Sequence, residues 1–262
     1  MSKPLLFTIE DKIATITLNR PDRRNAFNEE MLALWVEALE ACRQRDDINV
    51  VILTGAGKAF CSGGDINDMV ERLGQGGAPA QKQFIETVHD VAKTLDQIDK
   101  PVIAALNGAA TGAGLDMALM CDMRFCSDRA RLASTYIKVG LVPGDGGGFF
   151  LPRLVGLAKA LELLWTGDWV SAEEAERLGL VNRTVPHDEL MPTVYKFARR
   201  LAEGPTIAQR LIKRAVYEGL RSDLRTHLDM MSSHYAVVSG TKDHQEAIEA
   251  FLEKRKPAFQ GE

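Results

Sequence analysis

The chain has 262 residues, of which 45% are hydrophobic and 26% charged, and its formal net charge is −4. That length suits one large domain, or one domain with a small appendage, and the composition is that of an ordinary globular protein. The acidic balance argues against nucleic acid as a partner, so any bound anion must be held by local groups rather than by a broad positive field.

Cys42, Cys61, Cys121 and Cys126 form no CxxC pair. They are too few for a disulfide framework, which predicts a reducing, cytoplasmic setting. The start, Met1 to Pro4, reads as neither a signal peptide nor a transit peptide. The longest uncharged stretch, Pro101 to Leu115, is broken by Asn107 and three glycines. It is too short and irregular to span a bilayer, so no membrane partner is expected.

Leu5–Glu10 and Lys12–Leu18 are rich in β-branched residues and predict a hairpin turning at Asp11. Asn28 is placed to cap a helix whose apolar face carries Met31, Leu34, Trp35, Ala38, Leu39 and Cys42. Phe27 and Leu32 are spaced as a hydrophobic staple. Val50–Leu53 reads as a strand buried on both faces, ended by Thr54 to Gly57. The glycine-rich run Leu73 to Pro79 predicts a mobile loop. A second unit follows: strand Val102–Leu106, small-residue loop Asn107–Gly114, helix from Leu115 to Met120, strand Asp122–Cys126. Strands alternating with helices imply a parallel α/β arrangement.

From Ser171 the chain turns helical. Ser171 to Glu174 reads as a capping box, with Gly179 as the helix stop. Further helices are predicted over Glu189–Glu203, Thr206–Gly219, Asp223–Val238 and Lys242–Arg255. The expected division is an α/β core over residues 1–190 and a helical region over 191–262.

Two segments stand out for chemistry, Gly57 to Ile66 and Asn107 to Asp116. Each sets a small-residue loop after a buried strand, which lets a ligand approach backbone N–H groups. The second also runs into a helix N-terminus, where free N–H groups favour negative charge. Two N–H groups aimed at one oxygen make an oxyanion hole. Other chemistries fail on spacing. Position 52 is Ile and position 59 is Ala, so no Walker A motif forms around Gly57-Lys58. No complete GxGxxG or GxSxG occurs. His89, His187, His227, His234 and His244 lack metal-ligand spacing, so no metal is expected.

These residues resemble a known family. Lys58 to Ile66 is similar to the first signature of the crotonase (enoyl-CoA hydratase/isomerase) superfamily, and Asn107 to Asp116, continuing to Asp122, to the second. Asn19-Arg20-Pro21 with Asn25-Ala26-Phe27, Gly140 to Gly144, Leu178 to Val181 and Phe251 to Phe259 resemble its other landmarks in order. The resemblance implies an α/β fold, a spiral of ββα units with a helical C-terminal trimerisation region, and trimers or dimers of trimers. It implies an acyl-CoA thioester as substrate, CoA being part of the substrate and no separate cofactor being needed. It places the oxyanion donors at Gly64 and Ala113. It places CoA contacts at Ala26, Ser62, Asp65 and Ile66, and at Phe251 and Lys254, sometimes from a neighbouring subunit. Arg23 and Arg24 are candidates for the phosphates, or simply a solvated turn.

The resembled hydratases use two glutamates, and here Asp116 holds the first position and Tyr136 the second. A tyrosine is a fair donor but a poor base at neutral pH. Asp145 lies one residue beyond a position where some family isomerases carry an aspartate. It reads either as a catalytic group or as a cap for the following helix. Three functions remain: a hydratase using Asp116 and Asp145 with Tyr136 orienting them, an isomerase shuttling one proton through a single aspartate, and a non-catalytic acyl-CoA binder. Acyl specificity is expected from a pocket wall including Val70–Phe84 and Phe149–Phe150.

Overall fold

The computed structural model describes residues 3–262. Strands β1 (Leu5–Glu10) and β2 (Ile13–Leu18) form the expected hairpin. Asp11 and Lys12 turn it with φ of 51° and 62°, the left-handed pair that matches strand twist in a two-residue turn. Helix α1 (Glu29–Gln44) starts where expected, the Asn28 side chain accepting the Met31 N–H at 3.1 Å. β3 (Val50–Gly55), β5 (Val102–Leu106), β7 (Met123–Ser127) and β10 (Arg183–Val185) extend the hairpin into a six-stranded sheet, ordered β1-β2-β3-β5-β7-β10 and parallel from β2 onward.

The continuous apolar runs of this sheet bury both faces. Val51, Leu53, Ala104 and Leu106 point into the main core with Trp35 of α1. Val50, Ile52, Ile103 and Ala105 point the other way, against Leu190, Val194 and Ala198 of α7 (Leu190–Ala202). Period-two alternation with two covered faces needs no polar position, so the run reads as unbroken.

Both small-residue loops hold a short strand that their length hid. β4 (Ala59–Cys61) pairs in parallel with β6 (Ala109–Thr111), and β8 (Arg131–Ala133) and β9 (Val170–Ser171) complete a four-stranded sheet ordered β4-β6-β8-β9. Between the two loops runs α2 (Ile66–Asp96), so residues 73–79 are not an open loop. The helix breaks only at Gly77 (φ 57°, ψ −138°), and Pro79 falls in the first turn of its second half, where a missing N–H costs nothing. Helix α3 (Ala113–Met120) begins two residues earlier than predicted.

The C-terminal half adds α4 (Gly147–Val155), α5 (Leu157–Thr166), α6 (Ala172–Arg177), α8 (Thr206–Gly219), α9 (Leu224–Ser239) and α10 (Lys242–Glu253). Ser171 caps α6, its hydroxyl accepting the Glu174 N–H, and Gly179 follows with φ 74°. No helix among the described residues is long and apolar enough to cross a membrane.

The two strand–loop units are sewn together by asparagines and glycines. Asn25 donates to the carbonyls of Ala56, Ala59 and Phe60, and Asn107 to those of Gly57 and Ala59. A Cβ on Gly108 would lie 2.1 Å from the Lys58 carbonyl oxygen, which no flexible side chain can relieve. Gly108→Ala is therefore expected to destabilise by about 3 kcal/mol or more, as overpacked buried sites do. Gly74, helical and with nothing within 4 Å of its Cβ position, is expected to gain about 0.5–1 kcal/mol as Gly74→Ala. Thermal melting of the two variants checks both signs.

Candidate active site

The close approach of the loops sets two backbone amides side by side. Gly63, with φ 90°, packs so that a Cβ there would sit 3.3 Å from the Ala113 nitrogen. Gly64 follows it and bridges Phe27, but the bridge uses the Gly63 carbonyl and the Asp65 N–H. Ala113 opens α3, so its N–H has no partner within the helix. The N–H groups of Gly64 and Ala113 thus belong to adjacent segments, and neither donates a backbone hydrogen bond outside the regular elements among the described residues.

Asp116 lies in the first turn of α3, three residues beyond Ala113 and so on the same side of the helix. Its Oδ2 is 2.8 Å from the Tyr136 hydroxyl, which is also 2.7 Å from Asp145 Oδ2. A hydroxyl carries one proton, so it donates to one carboxylate only. The second short contact is satisfied when the other carboxyl is protonated and donates to the phenolic oxygen. Asp116 and Asp145 are 1% and 3% exposed, which makes simultaneous ionisation costly. Their Oδ1 atoms are buried and find no hydrogen-bond partner among the described residues.

The electrostatics follow from this burial. Desolvation pushes Asp116 up to about 7, with the Tyr136 hydrogen bond working against it and the charge of Asp145 adding to it. Burial also raises Asp145, opposed by Tyr136 and by nearby His89. The tyrosine is raised as well, by burial and then by the two carboxylates, so it stays a neutral donor. Asp145 does not cap α4: Gly146 holds the cap position, with no side-chain bond there. Gly147 is required instead, since a Cβ would meet Asp116 Oδ1 at 2.4 Å.

The other expected contact residues are spread more widely. Asp65 caps α2 and pairs with Arg20 at 3.1 Å, and Arg20 also donates to the Ala26 carbonyl at 2.5 Å. Both groups are therefore engaged within the chain. Ser62 is partly exposed and its hydroxyl makes only a 3.5 Å contact to the Arg23 carbonyl. Ile66 is exposed, and so are Arg23 and Arg24 on a short helical turn. Phe251 and Lys254 lie exposed at the end of α10, which packs on α9.

A cleft of about 520 Å³ reaches Asp145 from the side of α8. His89, Met120, Gly144 and Phe150 line its inner end, and Lys213 and Tyr217 its outer wall. Phe149 and Phe150 are thus pocket residues, whereas no residue of Val70–Phe84 is among its lining. Sequence reasoning missed His89, which bonds the Gly144 carbonyl at 2.8 Å and steadies the loop carrying Asp145. No motif spacing could have found a contact made across 55 residues. No group of three His, Cys, Asp or Glu among the described residues could hold a metal ion.

Paired loop amides beside two buried, proton-sharing carboxyls make an acid–base site suited to a developing oxyanion. The sequence profile described as enoyl-CoA hydratase/isomerase matches residues 8–262. The chain is 37% identical to the 1,2-epoxyphenylacetyl-CoA isomerase of Escherichia coli (strain K12), over 100% of both chains. It is also 37% identical to the crotonyl-CoA hydratase of Syntrophomonas wolfei, over 95% of each. The crystal structure of an enoyl-CoA hydratase from Bacillus anthracis superposes with a TM-score of 0.94 at 35% identity, covering 99% of this chain and 100% of that one. The chain belongs to the enoyl-CoA hydratase/isomerase family of the crotonase superfamily, and its fold is the crotonase fold.

The raised Asp116 makes a prediction about stability. A carboxyl whose folded value, about 7, exceeds its ordinary 3.8 supports the fold only while protonated. That support is full below about pH 4 and is lost as pH rises through about 7. Asp116→Asn removes the cost of ionisation, so its Tm should exceed that of the parent by roughly 3–6 °C at pH 8 and by less at pH 5. Melting curves at the two pH values decide it; an equal difference at both would contradict a raised Asp116.

Proposed function

We propose that the protein hydrates a 2-enoyl-CoA thioester, with Asp116 and Asp145 as the acid–base pair and Tyr136 between them. The observation that carries this reading is the bridged pair itself, two buried carboxyls joined through one phenol at 2.8 and 2.7 Å. The Gly64 and Ala113 N–H groups take the thioester oxygen as negative charge builds on it, and losing one such donor costs about 3 kcal/mol. The ionised aspartate removes a proton from water as its oxygen attacks Cβ, and the protonated one delivers a proton to Cα. The two carboxyls then have exchanged states. Tyr136 restores them by donating to one while accepting from the other, a relay that a second glutamate would not provide.

One observation favours a second reading. The same relay can move a proton from one carbon to another without water, which is isomerisation of a 3-enoyl-CoA, and the E. coli relative named above is an isomerase. The binding of CoA by Ala26, Ser62, Asp65 and Ile66, with Phe251 and Lys254 reaching it from a neighbouring subunit, belongs to the same proposal. So does assembly as a trimer or a dimer of trimers. Ile212, Val216, Leu220, Leu224 and Phe251 are exposed along the stretch from α8 to α10, apolar residues of the kind that subunit contacts bury. Four free, buried thiols support a reducing, cytoplasmic location. The division into an α/β core over residues 1–190 and a helical region over 191–262 belongs to the same proposal, with the apolar face of α7 packed on the sheet.

Incubation with crotonyl-CoA is expected to remove the conjugated thioester absorbance and yield a product heavier by one water. Asp116→Asn and Asp145→Asn should each lower kcat by about 10²–10⁴-fold. Wild-type rates in both variants would defeat the two-aspartate mechanism. Double-bond migration in a 3-enoyl-CoA, without water uptake from crotonyl-CoA, would establish the isomerase instead. Sedimentation should give the mass of three or six chains.

A further inference from the structure

We propose that Arg72 is the anchor for a carboxylate on the acyl group, so that the preferred substrates are CoA thioesters whose acyl chain carries an acidic end. The inference rests on the acyl-CoA reading above and adds the class of acyl group. Arg72 lies in the first half of α2 with its guanidinium carbon 3.6 Å from the centre of the Phe84 ring. Its Nε and Nη2 are buried, and neither finds an acceptor among the described residues. Arg124, a buried guanidinium, shows the ordinary solution: it donates to the carbonyls of Cys121 at 2.6 Å and Leu180 at 2.8 Å. Stacking on a ring face offsets only part of the desolvation of a cation, because the ring accepts no in-plane N–H bond.

The two unpartnered nitrogens are neighbours on one edge of the guanidinium. That edge presents two parallel N–H groups at the spacing of carboxylate oxygens, the bidentate geometry that distinguishes Arg from Lys. Its place is beside the reacting centre. The Phe84 ring beneath it comes within 3.7 Å of a Cβ position on Gly64. The next residue, Ile85, comes within 3.4 Å of the equivalent point on Gly144, and His89 one turn on bonds the Gly144 carbonyl. This stretch of α2 therefore runs from Gly64 to the loop of Asp145. Gln81 donates to the Met69 carbonyl at 3.0 Å, tying the two halves of α2 across the Gly77 break and holding Arg72 over its ring. The residues proposed for CoA precede it, Ala26, Ser62 and Asp65 lying before α2 and Ile66 at its first turn. Arg72 lies about two turns further into the helix, over the ring that packs at Gly64.

The test is calorimetric binding of saturated thioesters, which cannot be hydrated, to the full-length protein. Butyryl-CoA is compared with glutaryl-CoA and adipyl-CoA on the parent and on Arg72→Met. The parent should bind one of the dicarboxylic thioesters at least about 10-fold more tightly than butyryl-CoA, as a charge-assisted bidentate pair supplies. Arg72→Met should abolish that preference and leave butyryl-CoA affinity within about 2-fold, which also shows that the variant is folded. Equal weakening of all three ligands would assign Arg72 to CoA and overturn the inference. So would a parent without preference, or a variant whose only change is its mass in sedimentation. Binding of none of the thioesters would overturn the acyl-CoA reading itself, whereas a preference without crotonyl-CoA turnover would leave this inference standing and remove only the hydratase.

Discussion

The site depends on how closely two backbone segments approach. Gly108 lies against the Lys58 carbonyl and Gly114 against that of Cys61, where a Cβ would be 2.1 and 2.3 Å from oxygen. Only glycine permits this contact, and the side chains of Asn25 and Asn107 fill the remaining donor and acceptor positions of the strand ends. Buried loops are costly unless their polar groups are paired, so the asparagines hold in place what the glycines make possible. Gly63 and Ala113 become neighbours as a consequence, and α3 starts where its first amide is free.

That approach also determines where charge is buried. Helix α3 carries Asp116 inward, and its far end is secured by Arg124 on the Cys121 carbonyl. Tyr136 arrives from the segment after β8, and Asp145 from the loop before α4. Three separate elements place two acids and a phenol in one dry spot, which lifts the acids toward neutrality and leaves one proton to share. The arrangement is unfavourable for stability, and a fold tolerates it where chemistry needs a group that gives and takes protons near neutral pH.

Helix α2 runs alongside this chemistry. Its second half runs past both loops, with Phe84 at Gly64 and His89 at Gly144, while its first half folds back over it at Gly77. A glycine-rich run reads as an open loop because local composition favours turns. The helix prevails because Phe84, Val88, Val91 and Leu95 bury themselves in the core at helical spacing. The first half of the broken helix carries one guanidinium stacked on the Phe84 ring, and α8 to α10 carry several exposed apolar residues.

Much of this was legible in the residues. The hairpin at Asp11, the Asn28 cap, the buried strands at Val50 and Val102, and the Ser171 cap rest on local rules of spacing and capping, which a linear chain displays directly. The two glycine-bearing loops and the order of the landmarks identified the family. The three-residue strands β4 and β6 were hidden, because runs that short carry no periodicity and exist only through pairing with each other. The choice between a capping and a buried, hydrogen-bonded Asp145 was likewise decided by the tertiary structure, since it turns on a phenol nine residues away. Sequence determined which groups are available and on which elements they ride. Only folding decided that Asp116, Tyr136 and Asp145 meet, that His89 steadies their loop and that Nε and Nη2 of Arg72 find no acceptor among the described residues, because those contacts are set by packing between elements and not by spacing along the chain.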